Sequence, residues 1–272
     1  MNFKIKYKTD ILFSNNIIDH YFNLKFIPHD TTFQKIKNLE YSVTPSDFIS
    51  LDKDAFNNII VYGKRKEVHD KFQFELSANV EQNDIYHEID STSEGLNPSL
   101  FLYPHKSTLF SGDVKKLHQL INVNEKVSKI NIEKVKYYSN YIYNNFIYES
   151  NLTDTNTNVS EFLNLGRGVC QDFSNLLIVL LKLEKIPARY VSGFIEGIGE
   201  THSWVEFYDG KKWLGIDPTH NLIIENGYIK IGHGFDSSNC IVNNGFFKSK
   251  EKNEIIFQKL EIKVEVENTE RK

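Results

Sequence analysis

Gly166-Arg167-Gly168-Val169-Cys170-Gln171-Asp172-Phe173 opens a run in which Phe173, Leu176, Leu177, Leu180 and Leu181 recur at helical spacing. The glycines flanking Arg167 predict a turn, so a helix begins at or beside the thiol of Cys170. The first amides of a helix have no intrahelical acceptor, and the positive end of the helix dipole lies there. Both favour thiolate over thiol and offer donors to an oxyanion. The glycines also let the backbone come close to a substrate.

Downstream, His202 precedes Ser203-Trp204, and Asp217 lies between Ile216 and Pro218. Thiol, imidazole and carboxylate are what a cysteine nucleophile needs: the base draws the thiol proton and the acid holds the base in the useful tautomer. Residues 203–208 and 211–216 read as strands, and Asp209-Gly210 between them as a two-residue hairpin turn. Closed there, the ladder opposes Tyr208 to Lys211 and, continued outward, His202 to Asp217. The Cβ atoms would then lie roughly 5 Å apart, and the carboxylate would take the imidazole Nδ1 proton. A three-residue loop would break this register. Taken singly, each residue has a plainer reading: Cys170 as a small buried side chain, Asp217 as a turn residue, His202 as a structural histidine. Their joint arrangement points to catalysis, with Cys170 as nucleophile, His202 as base and Asp217 as orienting acid.

Four segments, residues 167–173, Ile186-Pro187-Ala188-Arg189-Tyr190-Val191-Ser192-Gly193, His202-Ser203-Trp204-Val205 and Asp217-Pro218-Thr219, occur in the order that resembles the transglutaminase-like superfamily. The likeness is to its bacterial branch, described as predicted cysteine proteases. It is good over residues 120–245. The first hundred residues match more loosely and resemble the β-rich region that precedes the core in that branch. The resemblance implies an α+β fold, a papain-like core of helices packed on an antiparallel sheet behind an N-terminal β-rich domain. It implies the same roles for Cys170, His202 and Asp217.

The chain departs from the pattern at three places. His220 stands where the branch more often has asparagine, either as a second imidazole near the site or, the reading preferred here, as a turn residue after Pro218. Phe235 replaces an arginine, which removes a bidentate carboxylate binder and puts specificity in doubt, and Asn239 replaces an acid. The tryptophan that animal transglutaminases use for the oxyanion has no counterpart, since Trp204 and Trp213 both follow the thiol. Nor is there an Asp-x-Asp-x-Asp-Gly loop for calcium.

Composition bounds the rest. The 272 residues, 40% hydrophobic with net charge −4, suit one large or two modest domains and give no basic face for nucleic acid. The expected division is a β-rich domain over 1–110, the core over 111–245 and, over 246–272, a strand returning to the β-rich region. Within the first part, residues 3–8, 22–27, 58–62 and 72–80 read as strands that wall one side of the cleft or merely support the core. A linking segment covers 91–104. Ser111-Gly112-Asp113 caps a short helix, and Val135, Tyr138, Ile142 and Phe146 stripe a longer one ending near Tyr148. Residues 151–158 read as a loop at the cleft, 159–165 as a brief helix, 188–196 as a strand and 197–199 as a flexible turn. Two cysteines, Cys170 and Cys240, supply neither a disulfide framework nor a cysteine-rich zinc site. No metal or cofactor is expected. The strand-like start lacks an apolar leader, and no stretch reads as a membrane span, so a cytoplasmic protein with no membrane partner is expected. Oligomeric state is not legible.

Three functions follow in order: a thiol hydrolase acting on a peptide or protein amide through a thioester, an acyltransferase passing the acyl group to an amine, and a peptide-binding module that no longer cuts.

Overall fold

Alternation of Phe3, Ile5 and Tyr7 with Lys4, Lys6 and Lys8 makes a strand with one apolar face, and the three apolar side chains are buried. A computed structural model of the chain describes residues 1–83, 85–88, 96–124, 131–251 and 254–270. Its first strand, β1 (Asn2–Leu24), is a single element where the sequence reads two, because it has a partner on each edge along nearly its whole length. Four strands follow: β2 (Gln34–Thr44), β3 (Phe48–Lys53), β4 (Ile59–Arg65) and β5 (His69–Gln82). The linking segment expected over 91–104 falls partly outside the described residues. A 3₁₀ turn, Pro98–Leu102, lies in its second half.

The next stretch carries α1 (Gly112–Asn124), α2 (Asn131–Asn145), β6 (Ile147–Tyr148), α3 (Val159–Leu165), β7 (Arg167–Gly168) and α4 (Cys170–Leu183). Val135, Tyr138 and Ile142 are fully buried along α2. That helix stops earlier than its stripe suggests, because Ile147 and Tyr148 leave it to pair in parallel with Arg167 and Gly168. Then come β8 (Ala188–Ile195), β9 (Gly197–Gly199), β10 (His202–Tyr208), β11 (Trp213–Asp217), β12 (Leu222–Ile223) and β13 (Tyr228–Gly234). The chain closes with β14 (Asn243–Ser249) and β15 (Gln258–Asn268).

Two antiparallel sheets result. The smaller has the order β12-β11-β10-β8-β13, and α4 packs on one face of it, burying Leu176, Leu177, Leu180 and Leu181 against Ala188, Val205, Phe207 and Ile216. The larger is built on β1, which pairs with β5, β15, β4 and β14. Val264 and Val266 of β15 lie opposite Tyr7 and Ile5. The core under the larger sheet also takes in Phe194, Ile229 and Ile231 of the smaller one, so the two sheets share apolar side chains. Residues 197–199, read as a flexible turn, form β9 on the outer edge of β15.

The hairpin register differs from the one expected. Tyr208 pairs with Trp213 and Val205 with Ile216, so the loop has four residues, 209–212. Asp209 explains it. Its carboxylate accepts from Lys211 N–H and Lys212 N–H at 2.8 and 2.9 Å, which takes both amides out of the ladder.

Candidate active site

Cys170 is the first residue of α4, and the local chain is built to hold it there. Asn158 and Glu161 form a capping box at the start of α3, and Gly166 ends that helix in the left-handed conformation at φ 67°. Asp172 then reaches back: its Oδ2 accepts from Val169 N–H at 2.8 Å and from the Thr153 hydroxyl at 2.7 Å. Gly168 is required by this contact, since a Cβ there would stand 2.4 Å from Asp172 Oδ2.

His202 opens β10 and Asp217 ends β11. The two-residue slip leaves side-chain parity unchanged, so the pair stays on one face as diagonal neighbours. His202 Nε2 donates to Asp217 Oδ2 at 2.8 Å. The expected contact through Nδ1 is thus replaced by one through Nε2. This leaves Nδ1 as the nitrogen free to meet the thiol, which lies in the same cleft, close enough for His202 and, to a smaller degree, Ser203 to lower its pKa.

Asp217 is fully buried and saturated. Oδ2 also accepts from His220 Nδ1 at 2.7 Å and from the Tyr228 hydroxyl at 2.8 Å, while Oδ1 accepts from the Thr219 and His220 amides at 2.8 and 3.3 Å. His220 therefore belongs to the site, contrary to the preferred turn-only reading. Its ring lies 5.3 Å from that of His202, centroid to centroid. Neither of these two donors was assigned from sequence. His220 carried a signal, as the departure next to Asp217. Tyr228 carried none, because only the sheet order brings β13 to the carboxylate. The ligand atoms of His202, Asp217 and His220 lie within 4.8 Å of one another, a grouping that also suits a cation. Here the three are joined by hydrogen bonds through Asp217 Oδ2.

The electrostatics follow from these contacts. Burial raises the Asp217 carboxyl, but hydrogen bonds from His202 and His220 hold it well below the usual carboxylate range. Burial lowers the His202 imidazole, yet Asp217 and the thiol carry it up to about 10. Burial raises the Cys170 thiol, and His202 brings it below its ordinary value. A lowered thiol beside a raised imidazole favours the thiolate–imidazolium pair. Cys240, by contrast, is pushed up to about 12 by burial.

The thiol opens into a cleft of about 460 Å³. Its walls include Tyr7, Thr9 and Phe74 of the larger sheet, Leu260 and Ile262 of β15, and Thr155 of the 151–158 loop. A second groove meets it at His202 and is lined by Glu200, Thr219 and His220. Phe235 and Asn239 line neither. Phe235 packs on Phe56 and Phe101, and Asn239 Oδ1 accepts from the Phe235 amide at 3.0 Å. Both departures therefore serve a turn rather than the cleft.

Comparison with known proteins agrees with this geometry. Residues 119–218 match the transglutaminase-like superfamily core, and residues 3–81 match the bacterial transglutaminase-like N-terminal region. The two matches together cover more than half of the chain, which belongs to the transglutaminase-like superfamily, a class of cysteine-dependent enzymes. Uncharacterized proteins of Mycobacterium tuberculosis and Mycobacterium bovis are 29% identical over 141 residues, 46% of this chain and 45% of theirs. One of Mycobacterium leprae is 34% identical over 94 residues, 31% of this chain and 33% of its own. The chain thus spans less than half the length of these mycobacterial relatives. The crystal structure of a candidate cysteine protease from Cytophaga hutchinsonii superposes with a TM-score of 0.77 at 23% identity, over 99% of this chain and 92% of that one. The fold is therefore transglutaminase-like.

Proposed function

We propose that this protein is a thiol hydrolase of peptide or isopeptide amides. The observation that carries the reading is the Cys170 thiol at the head of α4, sharing a cleft with His202, whose Nε2 hydrogen-bonds the buried Asp217 at 2.8 Å. In this reading Cys170 Sγ, as thiolate, attacks the carbonyl carbon. The tetrahedral intermediate collapses to a thioester while the amine leaves with a proton from His202. His202 then takes a proton from water, which attacks the thioester and regenerates the thiolate. Because the acyl carbon bonds to sulfur, the acyl side of the substrate belongs in the thiol cleft, and the departing amine in the groove beside His202 and His220. Apart from His202 and Cys170, Glu200 is the one charged side chain among the described residues lining the thiol cleft, which favours neutral acyl segments. The two free cysteines fit a reducing compartment, and we infer a cytoplasmic site of action, which recovery of the protein in another fraction would overturn.

Labelling and product analysis test the reading. Iodoacetamide at mildly acidic pH is expected to modify Cys170 and spare Cys240, with the label lost in Cys170→Ala. Peptide amides are expected to yield free acids. If a primary amine is added and only the amide product forms, acyl transfer replaces hydrolysis as the activity. Tight peptide binding without turnover, unchanged in Cys170→Ala, would leave a binding module instead.

A further inference from the structure

Attack on a carbonyl builds charge on its oxygen, and preorganised donors aimed at that atom supply much of the rate. The Cys170 N–H is one such donor, since the first residues of a helix have no acceptor behind them. A second must come from outside the helix. Gln171, the polar neighbour of the thiol, is committed elsewhere, its Nε2 donating to the Asp154 carbonyl at 2.8 Å.

Tyr148 meets the geometric requirement. Parallel pairing of β6 with β7 sets it level with Gly168, and the Glu149 amide donates to the Gly168 carbonyl at 2.8 Å, fixing the backbone there. Its ring rests against Phe173 in the first turn of α4, with centroids 6.1 Å apart. Its side chain lines the same cleft as Cys170. Tyr148 lines both the thiol cleft and the neighbouring groove, so a scissile bond crossing from one to the other passes it.

We propose that the Tyr148 hydroxyl is the second oxyanion donor, closing with the Cys170 N–H around the substrate oxygen; the role rests on the hydrolase reading above. When the Sγ–C bond forms, the carbonyl π pair moves to oxygen, which accepts a hydrogen bond from each donor. No proton leaves Tyr148, and the pair returns as the amine departs. A donor has to stay protonated, and burial together with the Cys170 charge pushes the phenol up to about 12.

Tyr148→Phe keeps the ring on Phe173 and removes only the hydroxyl. Two probes separate the roles. A peptide aldehyde adds to the thiol and forms an oxyanion-bearing hemithioacetal, whereas iodoacetamide alkylates the thiol with no oxyanion. The variant is expected to lose about 10²-fold in kcat/KM on a peptide amide and a comparable factor in aldehyde affinity. Its rate of Cys170 alkylation is expected to stay within about twofold of the parent, the oxyanion term being absent there. Unchanged kcat/KM and aldehyde affinity overturn the proposal. So does an equal loss in alkylation, which would mean a disturbed thiol. A parent protein that neither cleaves amides nor binds the aldehyde overturns the hydrolase reading, and this proposal with it.

Discussion

One oxygen, Oδ2 of the fully buried Asp217, accepts from His202, His220 and Tyr228. That triple acceptance keeps the carboxylate ionised and the His202 ring in one orientation. Asp217→Asn keeps the shape and removes the charge, so kcat/KM is expected to fall by about 10²–10⁴-fold. The pH at which Cys170 becomes half-alkylatable should rise in the same variant, because the imidazolium that stabilises the thiolate is itself weakened. In the parent, the ion pair forms above the lowered thiol value and persists until the imidazole deprotonates near pH 10. Iodoacetamide rates should therefore climb below the ordinary thiol range, near pH 8.5, and hold a plateau through neutrality. A single ordinary thiol titration would contradict this. Stability has its own sign. The folded Asp217 carboxyl lies below its unfolded value, so its contribution is complete above the normal carboxylate range, about pH 4, and is lost as pH falls. An acid unfolding midpoint at higher pH in Asp217→Asn than in the parent would support this; a midpoint unaffected by the substitution would not. At this scale Cys170, His202 and Asp217 were legible because each sits in a short segment of characteristic chemistry. Tyr228 was not, since nothing in Gly227-Tyr228-Ile229 distinguishes a carboxylate partner from a strand tyrosine.

Elements tolerate errors of a particular kind. The β10–β11 turn is two residues longer than its Asp-Gly pair suggests, yet His202 and Asp217 still meet, because a slip of two preserves the face and a slip of one would not. The start of α4 has less latitude. Asp172 joins the turn to the helix by its bonds to Val169 and Thr153, and Asp172→Ala removes both. The expected cost is about 1–2 kcal/mol by chemical denaturation. Cys170 alkylation should slow as well, since the thiol rides on that turn. Loss of stability with an unaltered alkylation rate would show that the cap supports the helix without positioning the sulfur.

Across the whole molecule, the smaller sheet holds a buried ionic cluster on the face away from α4. Glu206 is fully buried and bonds Arg189 Nε at 2.5 Å and Lys230 Nζ at 2.9 Å. Glu88 bonds Arg189 and Lys230 at 2.9 and 2.5 Å, and the guanidinium lies 4.1 Å from the Trp213 ring centroid. Removing one partner strands the other charges away from water. Glu206→Ala is thus expected to destabilise the fold by about 3–5 kcal/mol in a denaturant titration, more than any change on the cleft surface. A cost under about 1 kcal/mol, the range of exposed pairs, would show that solvent reaches the cluster.

By itself the sequence determined that a thiol begins a helix, that an imidazole and a carboxylate share one face of a hairpin, and that the flanks are β-rich. Each of these depends only on periods of two and 3.6 residues and on glycine and Asx turn chemistry, all of which act over a few neighbouring positions. Tertiary structure alone decided which imidazole nitrogen meets Asp217, that His220 and Tyr228 join it, and that β1 and β15 wall the cleft. Those contacts join residues far apart along the chain, and they arise from sheet order and the shared core, which no local pattern encodes.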